Sequence, residues 1–344
     1  MEPFTHAFTS LALSRAGQRR LPRFGTAMLI VSGLAPDLDY ASYFGGASAF
    51  MRFHRTLLHS IAGATLLACA IAAAFCVLDR KLPRKKRART TVIVPLSFGF
   101  AFLICAVGLT GHLLLDLASG VGVQLLWPFR VHWSAWDLVT NFDPWILLFL
   151  IIGLLLPMLF KLVNEEVTSG KKAPGGSLAA IVTLLVMTAY FGLRARWRSE
   201  AVDRLLSREY HGRVPLSAGA FPEPFTPRLW RGIVVTDNTI EEVEVPVGGG
   251  DEFDSNSSVT HYKPQDSPAL EVSEKAPSAA AFLQYAQLPI ASVRRIEDDY
   301  RVEVRDARFP EGTDDPANIL LRVDLDSRFR IRTQGLFFAS SSNQ

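Results

Sequence analysis

The sequence predicts an α-helical membrane domain followed by a small extramembrane β-rich domain, on three observations. Hydrophobic residues make up 49% of the 344 positions, and the mean hydropathy of +0.20 is high for a soluble chain. Apolar runs at 57–78, 91–116, 143–163 and 177–193 approach the roughly 20 residues that a helix needs to cross a bilayer. Beyond residue 197 the pattern changes to apolar–polar alternation, the mark of half-buried strands. The expected domains are therefore 1–197 and 198–344.

The charge divides in the same place. A net charge of +3 conceals 19 Lys/Arg against 9 Asp/Glu in residues 1–197, and 17 against 24 in residues 198–344. The basic excess sits in short connectors between apolar runs, as cytoplasmic loops of membrane proteins carry it. It is not read as a nucleic-acid footprint. Cys69, Cys76 and Cys105 all lie inside apolar runs, which suits small buried residues rather than a disulfide framework.

Along the chain, Met1-Glu2-Pro3 lacks the basic start of a cleaved signal peptide. Residues 4–14 and 24–36 are apolar but too short to span, and an interfacial or re-entrant hairpin is expected. Residues 57–78 and 91–116 are joined by a connector, 79–90, holding seven Lys/Arg. His59 precedes Arg80 by 21 residues and His112 follows Thr91 by 21. At a rise of about 1.5 Å per residue, an antiparallel helix pair returns both histidines to one depth, opposite the basic connector.

Trp127, Trp133 and Trp136 in the loop 117–142 suit a membrane interface. The basic connectors place their end of the bundle in the cytoplasm, and the histidine end with the β-rich domain on the non-cytoplasmic side. Arg194, Arg196 and Arg198 argue against that orientation. Strands are expected at 231–236, 241–247, 300–305, 319–325 and 328–338, with a hairpin turn at 236–239 and a mobile loop near 248–280.

The chemistry-bearing stretch runs from Pro36 to Ser60, reading P-D-L-D-Y and then H-R-T-L-L-H-S. Ionisable groups beside spanning segments are costly and mark functional sites. Asp37, Asp39 and Asp116 fall at the same end of the bundle as His6, His54, His59 and His112, and so do His132, Asp137 and Asp143, which read better as loop and cap residues. His112 and Asp116 are four apart, so a helix stacks them on one face. These seven side chains are the expected ligands of one to three divalent metal ions. Imidazoles with carboxylates suit zinc, with manganese or iron as alternatives. Asp39 or Asp116 would orient an attacking water, and Arg55 would neutralise a carboxylate or hold a substrate phosphate.

In order, His6, Pro36–Asp39, His54–Ser60, Gly111–Asp116 and Leu125–Pro128 resemble the membrane-bound metal-dependent hydrolase family called YdjM-like, or DUF457. Thr56 stands where many members have glycine. The resemblance implies a bacterial inner-membrane location and hydrolysis, without defining a substrate. The His112–Asp116 spacing is also similar to that in zinc-dependent phospholipase C and P1-type nucleases, which implies a phosphoester or lipid headgroup.

The expected function is thus hydrolysis of a phosphoester or lipid-like substrate by a metal-bound hydroxide, with membrane lipid as a partner and no nucleic acid. Two alternatives stand beside it: a non-catalytic metal-binding membrane scaffold, and a protein that handles metal ions or protons. The runs 92–109 and 144–160 carry no charge, which counts against a transport pathway.

Overall fold

The computed structural model describes residues 1–18, 20–82, 96–167, 176–249, 252–263, 267–310 and 315–339, with the side chains of 160–167 left out. Most of the basic connector 79–90 lies outside the described residues. The N-terminal half is helical. Helices α1 (Pro3–Gly17) and α2 (Gly25–Leu34) form the expected short hairpin, followed by a 3-10 helix, Ala35–Gly45, and α3 (Gly46–Phe53).

The long apolar helices are α4 (Ile61–Lys81), α5 (Phe98–Ala118), α6 (Pro144–Val167) and α7 (Gly176–Leu206). Three of them, α4, α5 and α7, are long and apolar enough among the described residues to cross a membrane, while α6 shows a shorter apolar stretch, Pro144–Leu159. Ser60 fixes the start of α4 by accepting from the Gly63 amide at 3.0 Å, three residues later than the apolar run begins, because Leu57 to Ser60 form a turn.

α2 packs on α5 through small residues. A Cβ added at Gly108 would meet the Leu29 carbonyl oxygen at 2.9 Å, so the two backbones approach as closely as glycine permits. Such packing supplies association where the hydrophobic effect between helices is weak. α1 turns Thr5, His6, Thr9, Ser10 and Ser14 inward, and Ser14 meets Thr26 of α2 at 2.6 Å.

Two four-stranded antiparallel meanders make the β-rich domain. The first runs β1 (Ser217–Pro222), β2 (Leu229–Val235), β3 (Thr239–Pro246) and β4 (Val259–Tyr262). The second runs β5 (Pro289–Ile296), β6 (Asp299–Asp306), β7 (Ile319–Leu325) and β8 (Ile331–Phe338). The turn at 236–239 is the β2–β3 hairpin, closed by the Thr236 amide on the Thr239 carbonyl at 3.0 Å.

The segment 248–280 is not one loop. It contains β4, α8 (Pro268–Glu274) and the start of α9 (Pro277–Tyr285). Its Pro/Ser richness reflects helix starts, since Pro268 and Pro277 each sit in a first turn and Ser267 caps α8.

Both sheets sit at one end of the bundle. α7 passes without a break across residues 197–198, and its Ala201 and Leu205 enter the core of the first sheet with Trp230, Val234 and Val245. The second sheet, with α8 and α9, shares a core with Phe50 and Met51 of α3 and with Trp133. Polar contacts join the same parts: Arg308 Nη1 donates to the Gly120 carbonyl at 2.8 Å, and Asn141 Nδ2 to Asp315 Oδ2 at 2.6 Å. Gly108→Val is expected to cost about 1–3 kcal/mol through overpacking. The check is denaturant or thermal unfolding in detergent, where an unchanged midpoint would contradict the close α2–α5 approach.

Candidate metal centre

α1, the 3-10 helix and α5 deliver one polar side chain after another to the same buried point. The Glu2 carboxylate caps α1, accepting from the Thr5 amide at 3.1 Å, and His6 follows one turn in. Pro36 opens the 3-10 helix, and Asp37 and Asp39 leave it in different directions. α5 stacks His112 over Asp116, with His112 Nε2 3.2 Å from Asp116 Oδ2.

His6, Asp37, His112 and Asp116 each offer one ligand atom, all within 4.8 Å of one another. His112 Nδ1 donates to the Gly33 carbonyl at 2.8 Å, which turns a bare Nε2 toward the group. The ring of His6 stacks on that of His112 with centroids 3.8 Å apart. Burial pushes His6 down to about 3, so it stands as a neutral imidazole, the form that binds a metal.

His59 adjoins the four. Its Nε2 lies 3.0 Å from His112 Nε2 and 3.1 Å from Asp116 Oδ2, and its Nδ1 faces Asp39 Oδ2 at 2.9 Å. Burial alone would lower His59, but the carboxylates of Asp116 and Asp39 outweigh it and raise the imidazole to about 9.

The donor set fits a metal ion on its own chemistry. Asp37 Oδ2 and both ring nitrogens of His6 are buried without a hydrogen bond, His6 Nε2 facing Asp116 Oδ1 at 3.4 Å, and Asp116 Oδ2 faces the His59 and His112 ring nitrogens at 3.1 and 3.2 Å. The ligand atoms converge as acceptors. Around a tetrahedral ion with bonds of about 2.0–2.1 Å they would stand roughly 3.3–3.4 Å apart, in the range seen for His112 Nε2 to Asp116 Oδ2 at 3.2 Å and to Asp37 Oδ1 at 3.7 Å.

A second layer surrounds this group. Asp39 faces His54 Nδ1 at 2.7 Å and accepts the Arg55 amide at 2.9 Å, so its two oxygens are occupied by His54, His59 and Arg55. Burial would raise its carboxyl, yet the two histidines hold it well below the usual range. Asp37, by contrast, is pushed up by burial. His54, driven down to about 4 by burial, stays with Asp39 outside the four-residue group.

Arg55 takes a left-handed backbone, φ 57°, a conformation that costs a side-chain-bearing residue about 1–3 kcal/mol and clusters at functional sites. Its Nη2 reaches Asp116 Oδ1 at 3.2 Å and its Nη1 donates to Ser119 Oγ at 3.0 Å. The Met1 amine also contacts Asp116.

The outlying candidates have structural work. Asp143 caps α6 by accepting the Trp145 and Ile146 amides at 3.0 and 3.1 Å. Asp137 pairs with Arg198 at 3.1 Å, and His132 is exposed. Thr56 is buried and donates to the Phe53 carbonyl at 2.9 Å, a local turn bond that leaves the ligand group untouched. Sequence reasoning missed Ser119, Asn141 and Asp315. None sits in a motif, and Asp315 comes from a different domain.

The family model described as YdjM inner membrane protein matches residues 1–201. The chain belongs to the YdjM inner membrane protein family. That match spans the hairpin, all the long helices up to residue 201 and every ligand candidate, and it stops before β1. No curated protein and no solved structure matches the chain. As a YdjM-family membrane protein with three apolar candidate spans, it carries its His/Asp group at the end of those spans.

Metal analysis checks this centre. Purified wild type is expected to carry stoichiometric divalent metal, lost in His112→Ala and Asp116→Ala. Asp39→Asn should weaken affinity about 10–100-fold by freeing the His59 ring. Metal content unchanged in Asp116→Ala would remove the site.

Proposed function

We propose that this YdjM-family protein is an integral membrane metal-dependent hydrolase acting on a phosphoester or lipid-like substrate. The observation that carries the reading is the convergence of His6, Asp37, His112 and Asp116 on one point beside an arginine that is paired to Asp116 and keeps one donor unused. Arg55 is 4% exposed, its Nη2 is paired to Asp116 and its Nε has no hydrogen-bond partner, which leaves one guanidinium donor unused beside the centre.

A divalent cation, zinc by the ligand chemistry, supplies water activation at neutral pH and polarises a phosphoryl oxygen when bound. His6, Asp37, His112 and Asp116 would hold it, with His59 available as a further ligand. Asp39 orients the His59 ring through Nδ1, and His112 is oriented through Gly33, the outer contacts that fix ligating imidazoles. Arg55 takes the negative charge of the ester, and Asp116 holds the guanidinium in place.

The mouth of the site favours a substrate from the bilayer. Asp37 keeps 17% of its side-chain surface while those of His59, His112 and Asp116 keep none, so the opening is on its side. Beside it Leu38 is 70% and Phe44 is 91% exposed. Apolar and aromatic side chains at the ends of spanning helices match the membrane interface.

For sidedness, we place the centre and the β-rich domain on the non-cytoplasmic face. Arg80 and Lys81 end α4 away from the centre, beside the basic connector, and cytoplasmic ends carry such residues.

Zinc-loaded protein in nanodiscs should hydrolyse members of a panel of aryl phosphoesters and short-chain phospholipids. Asp116→Ala should abolish turnover, and Arg55→Ala should raise KM by about tenfold, the loss of one charge-assisted contact. Stoichiometric metal without turnover across the panel would favour the scaffold alternative. A periplasm-active reporter fused after Gln344 is expected to be active, and activity only of a cytoplasmic reporter would invert the topology.

A further inference from the structure

A cavity of about 280 Å³ lies where the loops on either side of residue 130 meet β1 and the connection from β6 to β7. It is separate from the metal centre, since neither Arg55 nor any of the ligand candidates lines it. Its surface is chiefly apolar, with Phe142, Phe221 and Phe309 in the wall, and it carries two carboxylates, Glu223 and Asp315. An apolar pocket with a few placed polar groups is the usual form of a site for an organic molecule, and here those groups set the sign of its charge.

The two guanidiniums in the wall are matched from outside it. Arg308 Nε donates to Asp306 Oδ2 at 2.8 Å, and its other nitrogens donate to the Gly120 and Tyr285 carbonyls at 2.8 and 3.1 Å. Arg231 Nη1 donates to Glu242 Oε1 at 3.1 Å and to the Ala307 carbonyl at 2.8 Å. Asp306 and Glu242 do not line the cavity, so Glu223 and Asp315 stand as its surplus charge. Glu223 only shares Arg231, whose Nε is 3.5 Å from its Oε1. Burial raises the Glu223 carboxyl above its ordinary range despite that guanidinium, and Glu244 and Glu242 add to the rise. Asp315 accepts neutral donors, Asn141 Nδ2 at 2.6 Å and the Ala317 amide at 2.8 Å, and a carboxylate has further acceptor sites than these two.

Donors in the wall are spent. Three of its residues are prolines, which have no N–H. The Thr140 hydroxyl donates to the Phe142 carbonyl at 2.6 Å, and Asn141 gives Nδ2 to Asp315 while its Oδ1 accepts from Arg55 Nη2 at 3.4 Å. Carboxylate oxygens and aromatic rings remain, a combination that favours a cation. Phe142 is exposed just before the apolar stretch of α6, which begins at Pro144. Trp145 is exposed beside it and donates Nε1 to the carbonyl of Phe225, itself exposed, at 3.3 Å. Exposed aromatic side chains at the start of such a helix belong at the level of the lipid headgroups.

We infer that this junction cavity binds an organic ammonium, supplied by the ethanolamine headgroup of a membrane lipid, with Glu223 and Asp315 as its counter-charges and the phenylalanine rings as its apolar wall. The inference goes beyond the hydrolase reading and does not depend on a metal.

Full-length protein in an uncharged maltoside detergent is titrated calorimetrically, against protein-free micelles, with phenethylamine, its neutral analogue phenethyl alcohol, and the dihexanoyl forms of phosphatidylethanolamine and phosphatidylglycerol. Wild type should bind phenethylamine and the ethanolamine lipid in competition at one site. Each should bind about tenfold or more tighter than the alcohol or the glycerol lipid, roughly one decade of affinity. Glu223→Gln should weaken both about tenfold, the loss of one charge-assisted contact. Phe142→Ala should weaken them about threefold, the scale of a cation–π contact at an exposed site. The unfolding midpoint of each variant should match that of wild type.

Equal affinity for the amine and the alcohol, a preference for the glycerol lipid, or wild-type binding in both Glu223→Gln and Phe142→Ala would each overturn the site. Binding of phenethylamine without the ethanolamine lipid would overturn the lipid as its source.

Discussion

A buried carboxylate that cannot stand alone dictates this structure. Asp116 is fully enclosed, and an unpaired charge in such surroundings costs several kcal/mol or more. Its neighbours at close range are imidazole nitrogens, the Arg55 guanidinium and the Met1 amine. The helices that bring these groups together gain little from one another in a bilayer, where lipid is as apolar as leucine. Small-residue packing at Gly108 and polar closure at the centre are what hold α1, α2, α4 and α5 in register.

From that point outward each layer orients the one inside it. Gly33 fixes the His112 ring, Asp39 faces His59 and His54, and Asn141 and Asp315 steady the guanidinium. A site held this way keeps its donors where charge must be met and has little to reorganise on binding. The β-rich domain is part of this shell, since it shares a hydrophobic core with α3 and a polar contact with Asn141.

The helical half was largely legible because spanning helices must be long and apolar and because ionisable residues there are rare. His6, Asp37, His59, His112 and Asp116 declared themselves by being polar at the ends of apolar runs, and the structure brings them to one place. What sequence spacing did not separate is inner from outer layer: Asp37 and Asp39 are two residues apart, yet only Asp37 joins the four-residue group.

Strands β2, β3, β6, β7 and β8 were legible from alternation, whereas β1, β4 and β5 were not. Those three are edge strands of their sheets. β8 is an edge strand as well and was legible, so the difference lies in the residues: β4 is only four residues long, β5 breaks its alternation with Arg294 and Arg295 side by side, and β1 is built largely of small residues. Helices α8 and α9 were hidden by prolines that start helices as readily as they break them.

The arginines at the end of α7 illustrate why charge counts need structure. Read as a loop, Arg194, Arg196 and Arg198 put three positive charges at the end of the bundle where the histidines lie. In the fold, Arg194 is buried, donates to the Leu138 carbonyl at 2.7 Å and stacks 4.3 Å above the Trp230 ring, while Arg198 pairs with Asp137. α7 runs unbroken from the bundle into the first sheet, so these residues are joints between domains rather than a free connector. The rule linking positive charge to the cytoplasm concerns short loops retained there. Within the fold these arginines hold α7 to the loop before α6 and to the first sheet.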